Sequence, residues 1–347
     1  MGNRISDQEI KEALKDWPVR FKAYARADRT KAIIQILNTF LPFLGLWVLM
    51  YLSLDWSYWL TLGLALINGV LLVRVFIIQH DCGHRSFFKS QQWNKIVGTT
   101  CSFFTTIPFK YWAREHDFHH AHSGQLETRE IGDIWMLTVE EYRKASPMKR
   151  LFYRIYRMPV MTFIIGPIVY LLYNNRWPIV KLPGWQKIHR AMHWNNLLLV
   201  AVYAGLGWLL GWKNFFLVQI PVVVIFAITA VWFFYVQHQH EFTYKQWKEN
   251  WDYLLSAIKG ATYYKLPKWL NWMTGSIGYH HIHHLNSKIP NYHLAQCAED
   301  NPDLQRYVTT VTFWESLKCM FNKLWDEQTE RMITFREFYQ RERTLAA

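Results

Sequence analysis

The sequence is poor in cysteine and lacks a signal for secretion. Its four cysteines, Cys82, Cys101, Cys297 and Cys319, show no paired spacing, so no disulfide framework is expected. The first thirty or so residues are charged, and the first apolar run is too long for a secretory signal peptide. We therefore predict a chain without a cleaved leader, with its cysteines facing a reducing compartment.

Charge is almost absent from four long apolar runs, which cover residues 33–54, 58–79, 197–212 and 215–236. Arg74 is the one charged residue inside them. Such runs are close to the roughly 20 residues that a helix needs to cross a bilayer. Aromatic residues make up 17% of the chain and cluster at the ends of these runs, where they favour the membrane interface. The pattern predicts an all-α integral membrane protein with four transmembrane helices in two hairpins.

A large polar part must accompany the spans, because the mean hydropathy of the whole chain is only −0.09. We predict a cytosolic N-terminal segment over residues 1–31, with a helix from Asp7 to Arg20, and a cytosolic helical cap over residues 80–195 and 237–347. The whole chain is expected to form a single domain in the cell membrane. No internal repeat or low-complexity stretch interrupts it.

The net charge of +13 is interpreted as a sign of membrane association and not of nucleic-acid binding. Nucleic-acid binding would need a basic face on a soluble domain, and none stands out. Basic segments that flank spans on the cytoplasmic side explain the charge more simply. The same bias predicts that both termini are cytoplasmic, and that Asp55 and Lys213 lie in the two outer turns.

Two apolar segments are interpreted as membrane-associated and not spanning. The segment Ile96–Pro108 is too short to cross. The segment Met158–Tyr173 is longer, but a crossing there would put the histidine clusters on either side of it on opposite faces of the membrane. The basic residues of the following loop favour the cytoplasm, and Gly166-Pro167 is expected to break this segment.

The chemistry of the chain is concentrated in three histidine clusters at helical spacing. Residues three and four apart lie on one face of a helix, so each cluster would present its rings together. The third cluster, in GYHHIHHLNSKIPNYHL, repeats the H-x-x-H-H pattern of the second, in REHDFHHAHSG. The members are His80 and His84 in the first cluster, His116, His119 and His120 in the second, and His280, His283 and His284 in the third.

This pattern predicts a metal site, because neutral imidazole suits Zn, Cu, Fe or Ni. The eight histidines are too many for one tetrahedral zinc, which takes four ligands, so a membrane zinc hydrolase would leave most of them unexplained. A metal transporter would carry them in mid-span, whereas these clusters lie at or beyond the span ends. Eight histidine ligands are explained most simply by two metal ions that share them, and we expect these ions to be iron.

Other residues near the clusters are candidates for supporting roles. Asp81, Asp117 and Asp133, together with Glu115, are carboxylates that could orient the rings through hydrogen bonds. The pair His238-Gln-His240, at the end of the fourth apolar run, offers a further ligand. Outside the three clusters, His122, His281 and His293 are neighbours that could give outer support, and His189 and His193 are interpreted as structural.

The three clusters, HDCGH, HDFHH and HHIHH, resemble the histidine boxes of the membrane fatty acid desaturases. The surrounding sequences WAREHDFHHAHSG, GDIWMLTVEEY and FYVQHQHEF are also similar, from about Ile33 to Glu327. Within this family the chain looks most like the Bacillus-type Δ5 acyl-lipid group, and its boxes also resemble those of the Δ12 glycerolipid enzymes. The resemblance implies that the eight box histidines and His238 bind metal. His240 departs from the Bacillus-type pattern, which leaves the choice between His238 and His240 open.

The resemblance further implies a membrane stem under a cytosolic cap that holds a di-iron centre. The expected reaction is the oxygen-dependent desaturation of an acyl chain, with O2 as co-substrate. No His-Pro-Gly-Gly motif of a fused haem domain occurs, so an external donor such as ferredoxin or flavodoxin is expected. The expected substrates are the acyl chains of membrane lipids. A lipid or carotenoid hydroxylase would use the same metal chemistry and is the alternative.

Overall fold

The structure, a computed structural model, describes residues 5–346 and is mostly helical. Residues 1–4 and 347, the two ends of the predicted cytosolic regions, lie outside the described residues.

The helices are α1 (Asp7–Ala13), α2 (Trp17–Phe21), α3 (Arg29–Ser53), α4 (Tyr58–Gly83), α5 (Gln91–Thr105), α6 (Phe109–His122), α7 (Val139–Lys144), α8 (Pro147–Tyr156), α9 (Gly166–Val169), α10 (Gln186–Leu210), α11 (Trp212–His238), α12 (Tyr253–Lys259), α13 (Lys268–Met273), α14 (His280–Leu285), α15 (Asn291–Asp300), α16 (Phe313–Cys319) and α17 (Phe335–Ala346). Turns of π-helix at Met161–Ile165 and Tyr170–Asn174 flank α9, and 3₁₀ turns occupy Lys248–Asn250 and Pro302–Arg306. Five short strands complete the cap: β1 (Leu137–Thr138), β2 (Tyr263–Lys265), β3 (Thr310–Thr312), β4 (Leu324–Asp326) and β5 (Arg331–Ile333). They form a three-stranded sheet in the order β1-β4-β5 and a parallel pair of β2 with β3.

Three of the four predicted spans are confirmed as helices that are long and apolar enough to cross a membrane. These are α3, α4 and α11, of 25, 26 and 27 residues. The fourth predicted span, residues 197–212, falls mostly in α10, which is also 25 residues long but begins with a polar half and does not meet the same test of composition. The Tyr51 hydroxyl nevertheless donates to the Leu210 carbonyl at 2.7 Å, so α10 reaches the same far end of the stem as α3.

The helices α3, α4, α10 and α11 form a membrane stem, in which α4 and α11 approach closely. A Cβ atom on Gly69 of α4 would lie 2.6 Å from Ile225 of α11, so only glycine allows this contact. The near end of the stem is tied to the cap, where the Gln35 side chain donates to Asn291 at 2.8 Å. The turn that carries Asp55 therefore lies at the end of the stem away from the cap, and so does Lys213, which was predicted in a turn but lies in the first turn of α11 because Gly211 alone separates α10 from α11.

The end of α5 and both ends of the segment Met161–Asn174 lie at the level of the cap. The hydroxyl of Thr105, at the end of α5, donates to Gln79 at 2.7 Å, one residue before His80. The segment Met161–Asn174 follows Arg157, which donates to Gln239 at 3.1 Å, and it precedes Arg176, which donates to the Thr106 carbonyl at 2.7 Å. These contacts favour the interpretation of both segments as membrane-associated.

The position of the break in the second segment was predicted wrongly. The chain bends by 59° between α8 and Met161, and it continues as a helix through Gly166-Pro167. A turn of π-helix before Pro167, in which the Gly166 N–H donates to the Met161 carbonyl, accommodates the proline ring without breaking the helix.

The predicted helix from Asp7 to Arg20 is also not continuous. Ser6 caps α1 by accepting from the Glu9 N–H at 3.1 Å, as expected, but α1 ends at Ala13. A second short helix, α2, carries Pro18 in its first turn, where the missing N–H costs little. The two pieces each bury one apolar side against the cap, through Ile10 and Phe21.

Candidate metal centre

The first histidine cluster lies at the end of the stem helix α4, and the second lies on α6, a separate helix. His80 is in the last turn of α4 and His84 follows that helix directly. His116, His119 and His120 of the second cluster all lie on α6, which ends at His122. The third cluster lies on α14, which begins at His280 and not at Ile277, because the preceding residues form tight turns with positive φ angles at Gly275 and Ser276.

The structure brings the predicted histidines together in two adjacent groups. In each group the nearest ring nitrogens all lie within 4.8 Å of one another. The first group contains His80, His84, His116, His120 and His283, and the second contains His119, His238 and His284. His280 adjoins the second group, with its Nε2 atom 2.9 Å from that of His238 and 3.1 Å from that of His284.

Each H-x-x-H-H cluster divides its rings between the two groups. In α6, His116 and His120 belong to the first group, while His119 points to the second. In α14 the assignment is reversed: His283 belongs to the first group, while His284 lies in the second. The rings of His120 and His284 stack with centroids 4.2 Å apart, so the two groups are neighbours.

The arrangement of nitrogen atoms fits bound metal. The Nε2 atoms of His120 and His283 are 2.9 Å apart, and those of His119 and His238 are 3.3 Å apart. Two imidazoles at right angles on one ion, with bonds of about 2.1 Å, would hold their nitrogens roughly 3 Å apart. The buried Nε2 atoms of His80 and His84 have no hydrogen-bond partner. Donors that converge without protein partners are those that a metal ion would satisfy.

Burial favours the neutral form of rings in both groups, and metal binding requires that form. Burial lowers the pKa of His119 to about 4, against a smaller opposing effect of Asp133. Burial, with the neighbouring histidines, lowers the pKa values of His283 and His284 well below the ordinary 6.5. At neutral pH the lone pairs of these rings are therefore free to bind a cation.

Asp81 and a backbone carbonyl fix the orientation of two rings. The Nδ1–H of His80 donates to Asp81 at 2.8 Å, which turns its Nε2 atom toward the first group. The other oxygen of Asp81 accepts from the backbone and side-chain N–H groups of Asn291 at 2.6 and 2.8 Å. In the same way the Nδ1–H of His238 donates to the Gly260 carbonyl at 3.1 Å.

Asp117 and Asp133, which were also predicted to support the rings, make no hydrogen bond to a histidine. The Asp117 carboxylate is 3.6 Å from Nδ1 of His84, too far for a hydrogen bond, and 3.4 Å from Arg85. Asp133 bonds no histidine; it pairs with Lys245 at 2.8 Å, with both side chains buried. Burial opposes the ionisation of Asp133, but Lys245 and the nearby histidines outweigh it and lower its pKa to about 2.

Of the two histidines at the end of α11, His238 lies in a ligand group and His240 does not. Both ring nitrogens of His240 are buried without a hydrogen-bond partner. The geometry therefore favours His238 over His240 as the further metal ligand.

Histidines outside the two groups make ordinary contacts or none. His189 donates to the Val180 carbonyl at 2.9 Å, His122 to the Phe118 carbonyl at 2.9 Å, and His293 to the Tyr24 carbonyl at 3.0 Å. His193 is exposed. His281 is buried without a partner for either nitrogen. None of these five histidines lies in either of the two groups.

A cavity of about 460 Å³ opens beside the histidines, within the size range of ligand pockets. His80, His116 and His280 form part of its wall. The rest is mostly apolar and comes from α4, α11 and the segment Met161–Asn174. Glu115, expected beside the metal, also lies in the wall, and burial raises its pKa to about 7.

Several of these contacts could not be predicted from the amino-acid sequence. The roles of Asn291 and Lys245 depend on chain segments more than 100 residues apart, and a single amide or lysine carries no motif. The cavity wall is equally hidden, because apolar residues that face a cavity and those that face lipid are of the same kinds.

Comparisons with known proteins agree with this geometry. The family model described as "Fatty acid desaturase" matches residues 57–314. A fatty acid desaturase of Bacillus subtilis (strain 168) is 44% identical over 332 residues, which cover 96% of this chain and 94% of that protein. The sn-1 oleoyl-lipid 12-desaturase of Synechocystis is 27% identical, over 84% of this chain and 80% of that protein. A protein of the same name from Anabaena variabilis is 26% identical, over 84% of each chain.

The family model covers all three histidine clusters and most of the stem and cap. The clustered rings therefore lie in the part of the chain that is shared with the family. The chain belongs to the fatty acid desaturase family and is an oxidoreductase that acts on lipid acyl chains.

Proposed function

We propose that this protein is a membrane acyl-lipid desaturase with two irons held by nine histidines. One iron would be bound by His80, His84, His116, His120 and His283, and the other by His119, His238, His280 and His284. The observation that carries the proposal is the pair of converging histidine groups in the wall of an apolar cavity. The donor set is entirely imidazole, which suits iron.

Two irons in these groups, reduced by two electrons, would activate O2 to take one hydrogen from each of two adjacent carbons of the acyl chain. One O2, two electrons and two protons are consumed together with these two hydrogens, and the products are a carbon–carbon double bond and two molecules of water.

The residues of this chain hold the histidine rings in position and keep water away from the acyl chain. Asp81 and the Gly260 carbonyl hold the rings of His80 and His238 in a fixed direction. Phe76, Trp112 and Phe234 line the cavity next to the histidines and exclude water from the reacting carbons. A displacement of about 1 Å in such a site costs on the order of 100-fold in rate, so a rigid cavity matters more than acid or base groups.

The cavity supports a lipid-bound acyl chain as the substrate. No Lys or Arg from the described residues lines it, while Glu115, Glu130 and Asp133 do. Such a wall does not attract the phosphates of a soluble carrier. The segment Met161–Asn174 separates the cavity from the outer surface, and Val169 both lines the cavity and is 46% exposed. An acyl chain from the surrounding bilayer is thus close to the cavity.

For the position of the double bond we propose counting from the carboxyl end, of the Δ5 type. The support is the similarity of the boxes and their surroundings to the Bacillus-type group, together with the 44% identity to the Bacillus subtilis desaturase. Two relatives are named as 12-desaturases of oleoyl-lipid, at 26–27% identity, and Δ12-like or Δ9 chemistry are the other outcomes.

The electrons are proposed to come from a separate acidic donor such as ferredoxin or flavodoxin, on the cytoplasmic side of the cell membrane. The exposed Arg85 directly follows His84, and Lys288 donates to the carbonyl of His84 at 2.6 Å. These cations lie where an acidic protein would come nearest to the first histidine group, and opposite charges favour such an encounter.

The test is turnover by the purified protein in lipid nanodiscs with reduced ferredoxin and O2. We expect new double bonds in the lipid acyl chains and close to one metal ion per histidine group, measured as iron. Hydroxylated acyl chains instead would assign the protein to the hydroxylases. Active protein that holds only stoichiometric zinc would contradict the di-iron proposal.

A further inference from the structure

The cavity beside the histidines has a closed end inside the stem. Along α4 its wall runs from His80 back to Val73, seven residues or about 10 Å of helix. Along α11 it runs back to Phe226, twelve residues before His238. Beyond these residues the two helices are in contact at Gly69 and Ile225, where even a Cβ atom would not fit. That contact seals the floor of the cavity.

Two alanines of α11 keep this end of the cavity open. Ala230 lies eight residues and Ala227 eleven residues before His238, which places them about 12 and 16 Å from it along the helix axis. Large side chains of α11 lie beside them in the wall, including Phe226 and Phe233. A methyl group at each alanine position leaves space in this deep end that any longer side chain would fill.

We propose that Ala227 and Ala230 determine how much acyl chain can lie beyond the oxidised carbons. This inference rests on the proposed desaturase function, in which the reacting carbons lie beside the histidines. The methyl end of the substrate then extends down the stem toward the seal at Gly69 and Ile225. The length of this arm sets an upper limit on the substrate, while the carboxyl end fixes the position of the double bond.

The experiment feeds 16- and 18-carbon acids to cells that produce the Ala230→Phe or the Ala227→Phe protein. We expect the ratio of 18- to 16-carbon unsaturated product to fall by at least about 10- to 200-fold, the range by which a single methylene is discriminated in an apolar pocket. The double bond should keep its distance from the carboxyl group. The ratio compares two products of one protein sample, so a loss of folded protein cancels.

Two further variants complete the design. Ala230→Gly enlarges the arm and should raise the share of longer chains, a gain that misfolding cannot produce. Ala201→Phe is the matched control, because Ala201 lies exposed on α10, away from the cavity, and its product ratio should equal that of the wild type.

An unchanged product ratio in active Ala230→Phe and Ala227→Phe proteins would overturn the role of the alanines and leave the proposed function standing. A double bond that moves toward the methyl end in these variants would also overturn it, because the position would then be counted from the floor of the cavity. A wild-type protein that forms no double bond in either chain would overturn the proposed function itself.

Discussion

His283 is the residue on which the first histidine group depends most. Its ring centroid lies 4.4 Å from that of His80, 4.9 Å from that of His84 and 4.5 Å from that of His120. It is also the one member of that group that comes from α14, so it joins the C-terminal part of the cap to α4 and α6.

Replacing His283 with Ala should therefore abolish turnover and remove the metal of the first group, because four rings remain and one position opens to water. His119→Ala should have the same effect on the second group. Iron per chain, measured by mass spectrometry of the purified protein, checks both. His189→Ala is the control: His189 bonds only the Val180 carbonyl, and that variant should keep its iron and activity.

The Asp133–Lys245 pair should stabilise the protein only while both charges are present. Asp133→Asn leaves a buried ammonium group without a partner, which costs about 3–5 kcal/mol of the free energy of unfolding. Denaturant titration in detergent measures this loss. The double variant Asp133→Asn/Lys245→Met, which removes both charges, should recover most of it, and a double variant as unstable as the single one would contradict this account.

The same pair gives a pH dependence with a definite sign. The pKa of Asp133 is lowered to about 2 in the folded protein, from 3.8. Its contribution is therefore complete above pH 3.8 and is lost as the pH falls toward 2.

Among single residues, spacing predicted the clustered histidines, whereas Asp81 was only one of several nearby carboxylates expected to support them. Spacing could not assign rings to groups, because His119 and His120 are adjacent in sequence yet belong to different groups. It could not choose between His238 and His240 either, since His238 ends α11 and His240 follows within one turn, and only the contact of His238 with the Gly260 carbonyl separates them.

At the scale of elements, α8 has an apolar face with no protein partner. Met148, Leu151, Phe152 and Ile155 follow each other at helical spacing and are 44–73% exposed. Lys149 and Arg154 are exposed on the same helix, and the helix leads into the segment that walls the cavity. A helix of this kind lies in the interface of a membrane, with its apolar face among the acyl chains.

We therefore expect a spin label at Phe152→Cys to contact oxygen dissolved in the bilayer, and a label at Lys149→Cys to contact a water-soluble nickel reagent. The four native cysteines are buried, so only the introduced one should react. Equal accessibility of both labels to the nickel reagent would show that α8 stands clear of the membrane.

The short elements were the hardest to predict. The 25-residue α3 and 27-residue α11 follow from apolar length alone, whereas the end of α1 at Ala13 and the π-helical turn before Pro167 depend on packing against the cap. Proline in sequence marks a constraint on the backbone, and the tertiary structure decides whether the helix ends or widens there.

At the scale of the whole molecule, the stem and cap define two sides of a membrane. The turn at Asp55 and the start of α11 at Lys213 are at the end of the stem away from the histidines, and the loop around Lys181 is at the cap. All three residues are exposed.

Cysteines introduced at Asp55 and Lys213 should react with a membrane-impermeant reagent added to intact cells, and a cysteine at Lys181 should react only after lysis. Labelling of the Lys181 position in intact cells would contradict the cytoplasmic assignment of the cap. A reagent that crosses the membrane serves as the control, since it should label all three.

The two histidine groups are proposed to support the oxidation of a lipid acyl chain to an alkene. Lipid analysis by gas chromatography and mass spectrometry tests this most directly, with the double bond located chemically, in a host that expresses the protein and is fed 16- and 18-carbon acids. We expect a new double bond at the same distance from the carboxyl group in both chains, absent with His283→Ala. A bond at constant distance from the methyl end would contradict the proposed regiochemistry, and hydroxylated chains or no new product would contradict the proposed desaturation itself.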